Sequence, residues 1–313
     1  MKIKPLFFLL LLAAAPFLRA QEPFVFSPQW TAQAQFAGYY VALEQGFYAA
    51  EGLDVKITHP SATQSALDRI RTEQSDATTL QLAQALEIIG DGIPLVNILQ
   101  TSMNNGMVIV SRWGKDPLNH GHIRVGTWAS GFGQLAIAMS RRENLDYEWI
   151  PIANNINIFV SGAIDAMLAM SYNEFVQIRQ AGIPVSEQSV YRFSDHGYNI
   201  QEDGVYMFRS AYEKNPDRAE RFARASRKGW EWAAEHPDET LDIVMKYVRE
   251  NHIGTNRVLQ KLMLDDILRL QEDRESGERE FRLREDMVSL ANRLMLENGM
   301  ISREITYEEL IAR

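Results

Sequence analysis

The stretch Gln29–Ile57, QWTAQAQFAGYYVALEQGFYAAEGLDVKI, contains a polar loop, a helical pattern and a strand-like pattern in that order. One tryptophan and three glutamines precede Gly38, and an apolar pattern of helical period follows it. Glycines at positions 46 and 52 interrupt this pattern, and Leu53–Ile57 alternates between apolar and polar residues as a strand does. The stretch therefore predicts aromatic and amide side chains gathered at the beginning of the first helix.

The same alternation of strands and helices continues along the chain. The predicted strands are Pro23–Ser27, Leu53–Ile57, Ser75–Leu80, Pro94–Gln100, Gly106–Ser111, Ile123–Trp128, Tyr147–Ile152, one within Gly162–Phe175, and Asp203–Phe208. Helical patterns lie between most of these strands, and the C-terminal third is predicted to be helical. A helix is predicted to begin at Asn215 and Pro216, and its Trp230 is predicted to pack in the core because of its helical spacing. Repeated strand–helix units indicate an α/β fold with largely parallel sheets. The turn-rich segment Trp113–His122 is interpreted as a passage between two lobes.

The first 20 residues, MKIKPLFFLLLLAAAPFLRA, have a different composition from the rest. Two lysines precede an apolar run from Leu6 to Ala15, and a small residue, Ala20, ends the segment. This layout is typical of a secretory signal peptide, because the apolar run is shorter than the roughly 20 residues that a membrane-spanning helix needs. We expect cleavage near Ala20 and an exported protein.

Composition argues against several kinds of chemistry. The 313 residues include no cysteine, which excludes disulfides, thiol nucleophiles and thiolate metal sites. The net charge is −9, and loss of Lys2, Lys4 and Arg19 with a signal peptide takes it to −12, so nucleic acid is not an expected partner. The pair His120 and His122 is a weak metal signal, since catalytic zinc needs three protein ligands. We predict no metal site and no cofactor.

The sequence contains none of the catalytic motifs that would require an enzyme. It has no Gly-x-Ser-x-Gly elbow and no His-Glu-x-x-His pair. The loop Gly126–Gln134, GTWASGFGQ, has neither the P-loop spacing nor the dinucleotide-binding spacing of glycines. Its Trp128 is equally compatible with stacking on a ligand and with packing in the core. His59, next to Pro60, is likewise left open between a ligand contact and a structural role.

Aromatic and polar residues gather at the predicted ends of strands, and these positions predict a ligand cleft. In open α/β sheets, ligands bind outside the carboxyl ends of the strands. Flat rings with a few amide and carboxylate groups suit a small heteroaromatic or amine-bearing ligand. The candidate ligand-binding residues are Trp30, Gln35, Phe36, Tyr39, Thr78, Thr79, Trp128, Tyr172, Asn173 and Glu174.

The segment Ala34–Ile57 resembles the opening of periplasmic solute-binding proteins of the SsuA/THI5-like group. Later segments resemble the group in the same order, and the resemblance covers roughly residues 22–250. These segments are Gly92–Ser102, Ile123–Trp128, Ser161–Phe175, Asp195–Met207 and Asn215–Val244. The resemblance implies a type II periplasmic binding protein fold, in which two α/β lobes close over a ligand. Lobe one would comprise residues 21–111 and 204–313, and the inserted lobe two residues 112–203.

The resemblance also implies a function. Such proteins deliver small nitrogen or sulfur compounds to an ABC importer, so the expected partners are a small-molecule ligand and the permease subunits. The expected state is a periplasmic monomer. The chain is most similar to the thiamine-pyrimidine branch, which is matched here by Trp30, Tyr39 and Glu174, and the Glu174 carboxylate would receive an exocyclic amine.

Two other functions remain open at this stage. One is a sensor module that signals ligand occupancy to a membrane kinase. The other is a pyrimidine synthase of the same fold, although such enzymes use a cysteine-rich motif that this chain lacks. Neither alternative changes the expected fold, and fold likeness alone does not fix function.

Overall fold

The computed structural model describes residues 21–61, 64–112, 116–118, 121–129, 131–153 and 155–312. The expected signal peptide at residues 1–20 lies outside the described residues, and so does His120. In the described part, no helix is long and apolar enough to cross a membrane.

Within those ranges the chain forms ten strands in two five-stranded sheets. The strands are β1 (Glu22–Ser27), β2 (Leu53–Ile57), β3 (Ala77–Gln81), β4 (Leu95–Gln100), β5 (Met107–Ser111), β6 (Ile123–Trp128), β7 (Tyr147–Ile152), β8 (Ala166–Met170), β9 (Val190–Arg192) and β10 (Asp203–Phe208). This confirms the predicted α/β class, while the short strand β9 is an addition that the sequence pattern did not indicate.

Helices cover the sheets and fill the C-terminal third, as predicted. They are α1 (Ala37–Glu44), α2 (Phe47–Ala50), α3 (Ala66–Arg71), α4 (Leu82–Gly90), α5 (Gln134–Arg142), α6 (Asn157–Val160), α7 (Glu174–Gln180), α8 (Arg209–Lys214), α9 (Pro216–Glu235), α10 (Pro237–Glu250), α11 (Arg257–Leu270), α12 (Glu285–Glu297) and α13 (Tyr307–Leu310). Helix α9 begins with Pro216 in its first turn, and the Asn215 side chain accepts a hydrogen bond from the Arg218 N–H at 3.2 Å.

The two sheets have matching topologies. The strand order is β2-β1-β3-β10-β4 in the first sheet and β7-β6-β8-β5-β9 in the second. In the first sheet, β2, β1 and β3 run parallel and β10 runs antiparallel to both of its neighbours. In the second, β7, β6 and β8 run parallel and β5 runs antiparallel to both of its neighbours. In each sheet, the strand that runs antiparallel to its neighbours, β10 or β5, follows a segment in which the chain passes over from the other sheet.

Strand β5 belongs to the second sheet, although the sequence boundary at residue 111 assigned it to lobe one. It pairs with β8 and β9 over most of its length. All five of its residues are buried, so its apolar run carries no face-specific pattern that would indicate which sheet it joins. We propose that the chain crosses between the lobes at residues 101–106 and again at residues 193–202.

The two crossing segments are hydrogen-bonded to each other. The backbone carbonyl of Asp203 accepts from the N–H groups of Thr101 and Ser102 at 2.9 and 3.2 Å. The Glu202 N–H donates to the Ser102 hydroxyl at 2.7 Å, and the Gly106 N–H donates to the Glu202 carboxylate at 3.0 Å. The two lobes are therefore joined by a paired connection rather than by two separate linkers.

Helices α1 and α9 pack unusually closely in the first lobe. A Cβ atom built on Gly229 would lie 2.0 Å from the carbonyl oxygen of Gly38, and one built on Gly38 would lie 2.2 Å from the Trp230 ring. Trp230 is 1% exposed and meets the Tyr39 ring edge-on, with ring centroids 5.6 Å apart. Trp230 therefore packs in the core, as its helical spacing predicted.

Replacing Gly229 with alanine should destabilise the protein, against the usual trend. Alanine in a helix interior is normally about 1 kcal/mol more favourable than glycine. Here the methyl group would meet the backbone of α1, and we expect a net loss of roughly 2 kcal/mol or more in the free energy of unfolding. Urea denaturation of Gly229→Ala checks this. The control is Gly254→Ala, where the added Cβ meets nothing within 4 Å; equal stability of the two variants would contradict the close-packing argument.

Candidate functional site

A pocket lies between the two sheets, at the carboxyl ends of their parallel strands. It holds about 330 Å³ of space. Its walls come from the loop after β1, the end of β3, the end of β6 with the loop after it, and the turn between β8 and α7. The lining residues are Gln29, Trp30, Gln33, Gln35, Gln81, Trp128, Phe132, Met170, Tyr172, Asn173 and Glu174. This is where parallel α/β sheets place their ligands.

The structure brings six of the ten sequence-predicted residues together in this pocket. They come from segments that are up to 144 residues apart in the chain, and their contact with a ligand stays a prediction. The six are Trp30, Gln35, Trp128, Tyr172, Asn173 and Glu174.

The other four predicted residues lie outside the lining. Phe36 and Tyr39 are 0% and 1% exposed and face the first-lobe core, because the beginning of α1 turns its aromatic side inward. Thr78 and Thr79 lie within β3 and are buried. The Thr79 hydroxyl accepts the Gln29 backbone N–H at 2.8 Å, so Thr79 supports the pocket loop from behind.

Five lining residues were not among the sequence candidates. Gln29 and Gln33 lie in the glutamine-rich loop before the first helix, and Phe132 lies in the glycine loop after β6. Both loops were identified from the sequence as parts of the site, but these three residues were not selected. Gln81 and Met170 end β3 and β8. A more precise prediction of the strand ends would have identified them.

Three aromatic rings form an apolar wall that joins the two lobes. The Trp30 and Phe132 rings meet at 75°, with centroids 5.7 Å apart. Trp128 meets Phe132 at 83°, with centroids 6.5 Å apart. Such edge-to-face contacts are favourable for aromatic pairs. Trp128 ends strand β6 rather than lying in the loop, and it both packs in the core and lines the pocket.

Glu174 is the carboxylate of the pocket, and it is 3% exposed. Its Oε1 accepts from the Trp128 indole N–H and the Asn173 amide, each at 3.1 Å. Its Oε2 accepts the Met170 backbone N–H at 3.0 Å. Burial raises the pKa of the Glu174 carboxyl above its usual range, while the hydrogen bonds from Met170 and Trp128 oppose that shift. The contacts fix the carboxylate at the end of β8.

His59 has a structural role in this arrangement. Its Nδ1 lies 2.6 Å from the Trp30 carbonyl oxygen, which can only accept, so Nδ1 carries the proton. Its Nε2 then accepts from the Tyr40 hydroxyl at 2.8 Å. Burial lowers the pKa of His59 to about 4, so the ring is neutral at neutral pH. His59 thus ties the Trp30 loop to helix α1.

Direct hydrogen bonds also link the lobes on both sides of the pocket. The Gln134 amide of α5 donates to Glu87 of α4 at 2.7 Å. The Ser171 hydroxyl donates to Asp266 of α11 at 2.6 Å. The two lobes are therefore in direct contact in this structure.

The pocket is poor in cations and in metal ligands. Its described lining includes no lysine, arginine or histidine side chain. Across the described ranges, no group of three or more His, Asp or Glu residues is placed to hold a metal ion. The site therefore offers rings, amides and one carboxylate to a ligand.

The comparisons with known proteins agree with this architecture. The family model described as "NMT1/THI5 like" matches residues 33–240. The chain belongs to this family. A formylaminopyrimidine-binding protein of Halalkalibacterium halodurans is 26% identical over 230 residues, covering 69% of this chain and 68% of the relative. The riboflavin-binding protein RibY of Chloroflexus aurantiacus is 22% identical over 247 residues, covering 75% and 68%.

Solved structures confirm the predicted periplasmic-binding-protein fold of this family member. The periplasmic aliphatic sulphonate-binding protein SsuA of Escherichia coli superimposes with a TM-score of 0.67 at 13% identity, covering 93% of this chain and 92% of SsuA. The desulfurization enzyme DSZB also shares the fold, with a TM-score of 0.57 at 14% identity, covering 93% of this chain and 96% of DSZB. At these identities the likeness concerns the fold alone.

The pH dependence of stability should reveal the neutral, buried state of His59. The pKa of His59 is about 4 in the folded protein and 6.5 ordinarily, so between these values the unfolded chain binds more protons. The stability due to His59 is therefore complete above pH 6.5 and is lost as the pH falls toward 4. The stability difference between the protein and His59→Gln should shrink from pH 7.5 to pH 5, as measured by urea denaturation.

His122 provides a control of opposite sign. It is exposed beside Asp146 and Glu148, which raise its pKa. Its contribution to stability is present at low pH and disappears as the pH rises. The difference in unfolding free energy between the protein and the His122→Gln variant should not shrink as the pH falls. A His59→Gln difference that stays constant with pH would show that His59 is not held neutral.

Proposed function

We propose that this protein is an extracytoplasmic solute-binding protein that captures a small, nitrogen-containing heteroaromatic ligand, of the pyrimidine kind, and delivers it to an ABC importer. One observation carries the proposal. The pocket combines the rings of Trp30, Trp128 and Phe132 with the buried carboxylate of Glu174, and its described lining contains no cationic side chain.

The charge of the lining favours an amine-bearing ligand over an anion. A sulfonate or nitrate would enter beside the Glu174 carboxylate without a cation to pair with it, and burying an unpaired charge is costly. An exocyclic amine can instead donate a charge-assisted hydrogen bond to that carboxylate. The aromatic rings offer faces and edges to a flat heterocycle. The formylaminopyrimidine-binding relative has a ligand of this class.

Binding without turnover is part of the proposal. The described lining includes no serine, threonine, cysteine, histidine or lysine side chain, and its one carboxylate, Glu174, is held by three hydrogen-bond donors. Export through a cleaved signal peptide, release into a periplasm and a role in thiamine biosynthesis belong to the same proposal. The N-terminal composition supports export, and the resemblance of Trp30, Tyr39 and Glu174 to the thiamine-pyrimidine branch motivates the rest.

A thermal-shift screen of residues 21–313 tests the ligand class. The panel contains formylaminopyrimidine, riboflavin, an alkanesulfonate and nitrate. A ligand at 100 times its Kd stabilises a protein by about 2.7 kcal/mol, which raises the melting temperature measurably. We expect stabilisation by formylaminopyrimidine, and chromatography of the incubated mixture should recover it unchanged. Stabilisation by the sulfonate alone would reject the proposed ligand class.

Two substitutions test the proposed site. Trp30→Ala removes a ring from the apolar wall, and Glu174→Gln removes the charge that would receive the amine. Each should weaken formylaminopyrimidine binding at least about tenfold, or 1.4 kcal/mol, in titration calorimetry. Glu187→Gln, at an exposed carboxylate of the second lobe outside the pocket, is the matched control. Unchanged affinity in both pocket variants would remove these residues from the site.

A further inference from the structure

Asp203 lies behind the pocket, at the point where the chain returns to the first sheet. It is the first residue of β10 and pairs with Gln81, the last residue of β3. One carboxylate oxygen accepts from the Gln29 amide nitrogen at 2.9 Å, and the other accepts from the Gln35 amide nitrogen at 2.6 Å. A side chain outside the lining thus holds two side chains that line it.

These contacts determine which way the two amides face. An ionised carboxylate can only accept hydrogen bonds, so Gln29 and Gln35 must each turn their NH₂ group toward Asp203. The Gln35 carbonyl oxygen, facing away, accepts the Gln33 amide at 2.7 Å. The orientation of three pocket glutamines therefore follows from one carboxylate.

One side-chain oxygen among the lining glutamines has no hydrogen-bond partner in the described part of the chain. This atom is Gln29 Oε1, which is buried from solvent. Leaving a buried carbonyl unpaired costs about 1–3 kcal/mol, and a ligand N–H that reached this oxygen would remove that cost. The Gln33 amide nitrogen donates its hydrogen bond to Gln35. The side-chain carbonyl oxygen of Gln33 is therefore the last acceptor in this series of hydrogen-bonded amides.

We propose that Asp203 is a positioning residue that makes this face of the pocket a hydrogen-bond acceptor, so that the site selects ligands with N–H groups over ligands with acceptors alone. The inference rests on the proposed binding function for its ligand class. It goes beyond that function because it assigns specificity to a residue that does not line the pocket.

Two further observations support this role. Burial raises the pKa of Asp203 to about 6, while the amides of Gln35 and Gln29 oppose the shift, so the carboxylate is ionised at neutral pH. The Asp203 backbone carbonyl is held by the N–H groups of Thr101 and Ser102. These hydrogen bonds hold the backbone that carries the carboxylate, and they do not involve the ligand.

The Asp203→Asn variant tests the proposal by changing the polarity at nearly constant shape. The new amide has one acceptor and one donor end, so one of the two glutamines must rotate and present its NH₂ group to the pocket. The probes are formylaminopyrimidine and an analogue with a methoxy group in place of the ring amine. The protein should prefer the amine at least about tenfold in Kd, and the variant should lose most of that preference.

The ratio of the two affinities separates positioning from a structural defect. A variant that merely loosens the fold weakens both ligands equally and leaves the ratio unchanged, and that result would overturn the inference. Gln29→Met is the second variant, because it removes the unpaired acceptor while Asp203 keeps its charge and its hydrogen bond from Gln35. It should weaken binding of the amine and leave binding of the methoxy analogue nearly unchanged.

A measurement without ligand keeps the inference separate from the proposed function. The side-chain amide NMR signals of Gln29 and Gln35, assigned with the Gln29→Met and Gln35→Met variants, should both shift in Asp203→Asn. Unshifted signals would refute the orienting role even if aminopyrimidines bind. Shifted signals without aminopyrimidine binding would retain the orienting role and reject the proposed ligand. Binding of methanesulfonate by the unmodified protein would contradict the acceptor face directly.

Discussion

The geometry of this protein depends on the hydrogen-bonded pairing of the two chain crossings at Asp203. The backbone carbonyl of this residue holds the outgoing segment at Thr101 and Ser102, and Asp203 itself begins the returning strand β10. Because the crossings are adjacent, the carboxyl ends of both sets of parallel strands face a common cleft. The carboxylate of the same residue accepts from Gln29 and Gln35 of the pocket wall, so the chain crossing and the pocket wall share one residue.

The pocket is built from buried polar groups that must be satisfied, and this requirement explains its precision. Glu174 is held by three donors, and His59 is held between the Trp30 carbonyl and the Tyr40 hydroxyl. Satisfied polar networks fix one arrangement, since a partner that moves leaves a buried group unpaired. The aromatic wall adds contact area without adding charge. Selectivity in such a site comes from the direction of its donors and acceptors.

The sequence predicted the fold class and one half of the pocket, and its failures share a physical cause. The glutamine-rich loop and the Tyr172–Glu174 turn were recognised because polar and aromatic residues at strand ends are unusual locally. Tyr39 and Phe36 lie outside the pocket lining because the rotation of α1 against α9, set by the contact of Gly38 with Gly229, decides which side chains face inward. The predicted boundary at residue 111 left strand β5 with lobe one, whereas β5 lies in the second sheet, because a fully buried strand has no face-specific pattern.

The sequence by itself determined the alternation of strands and helices, the helix start at Asn215 and Pro216, and the gathering of amides and rings before the first helix. Each of these follows from period, capping or composition over a few neighbouring residues. Only the tertiary structure decided that Asp203 reaches Gln29 and Gln35 across more than 160 positions, and that Trp128 meets Glu174. Such contacts depend on the relative placement of two sheets, and no local pattern encodes that placement.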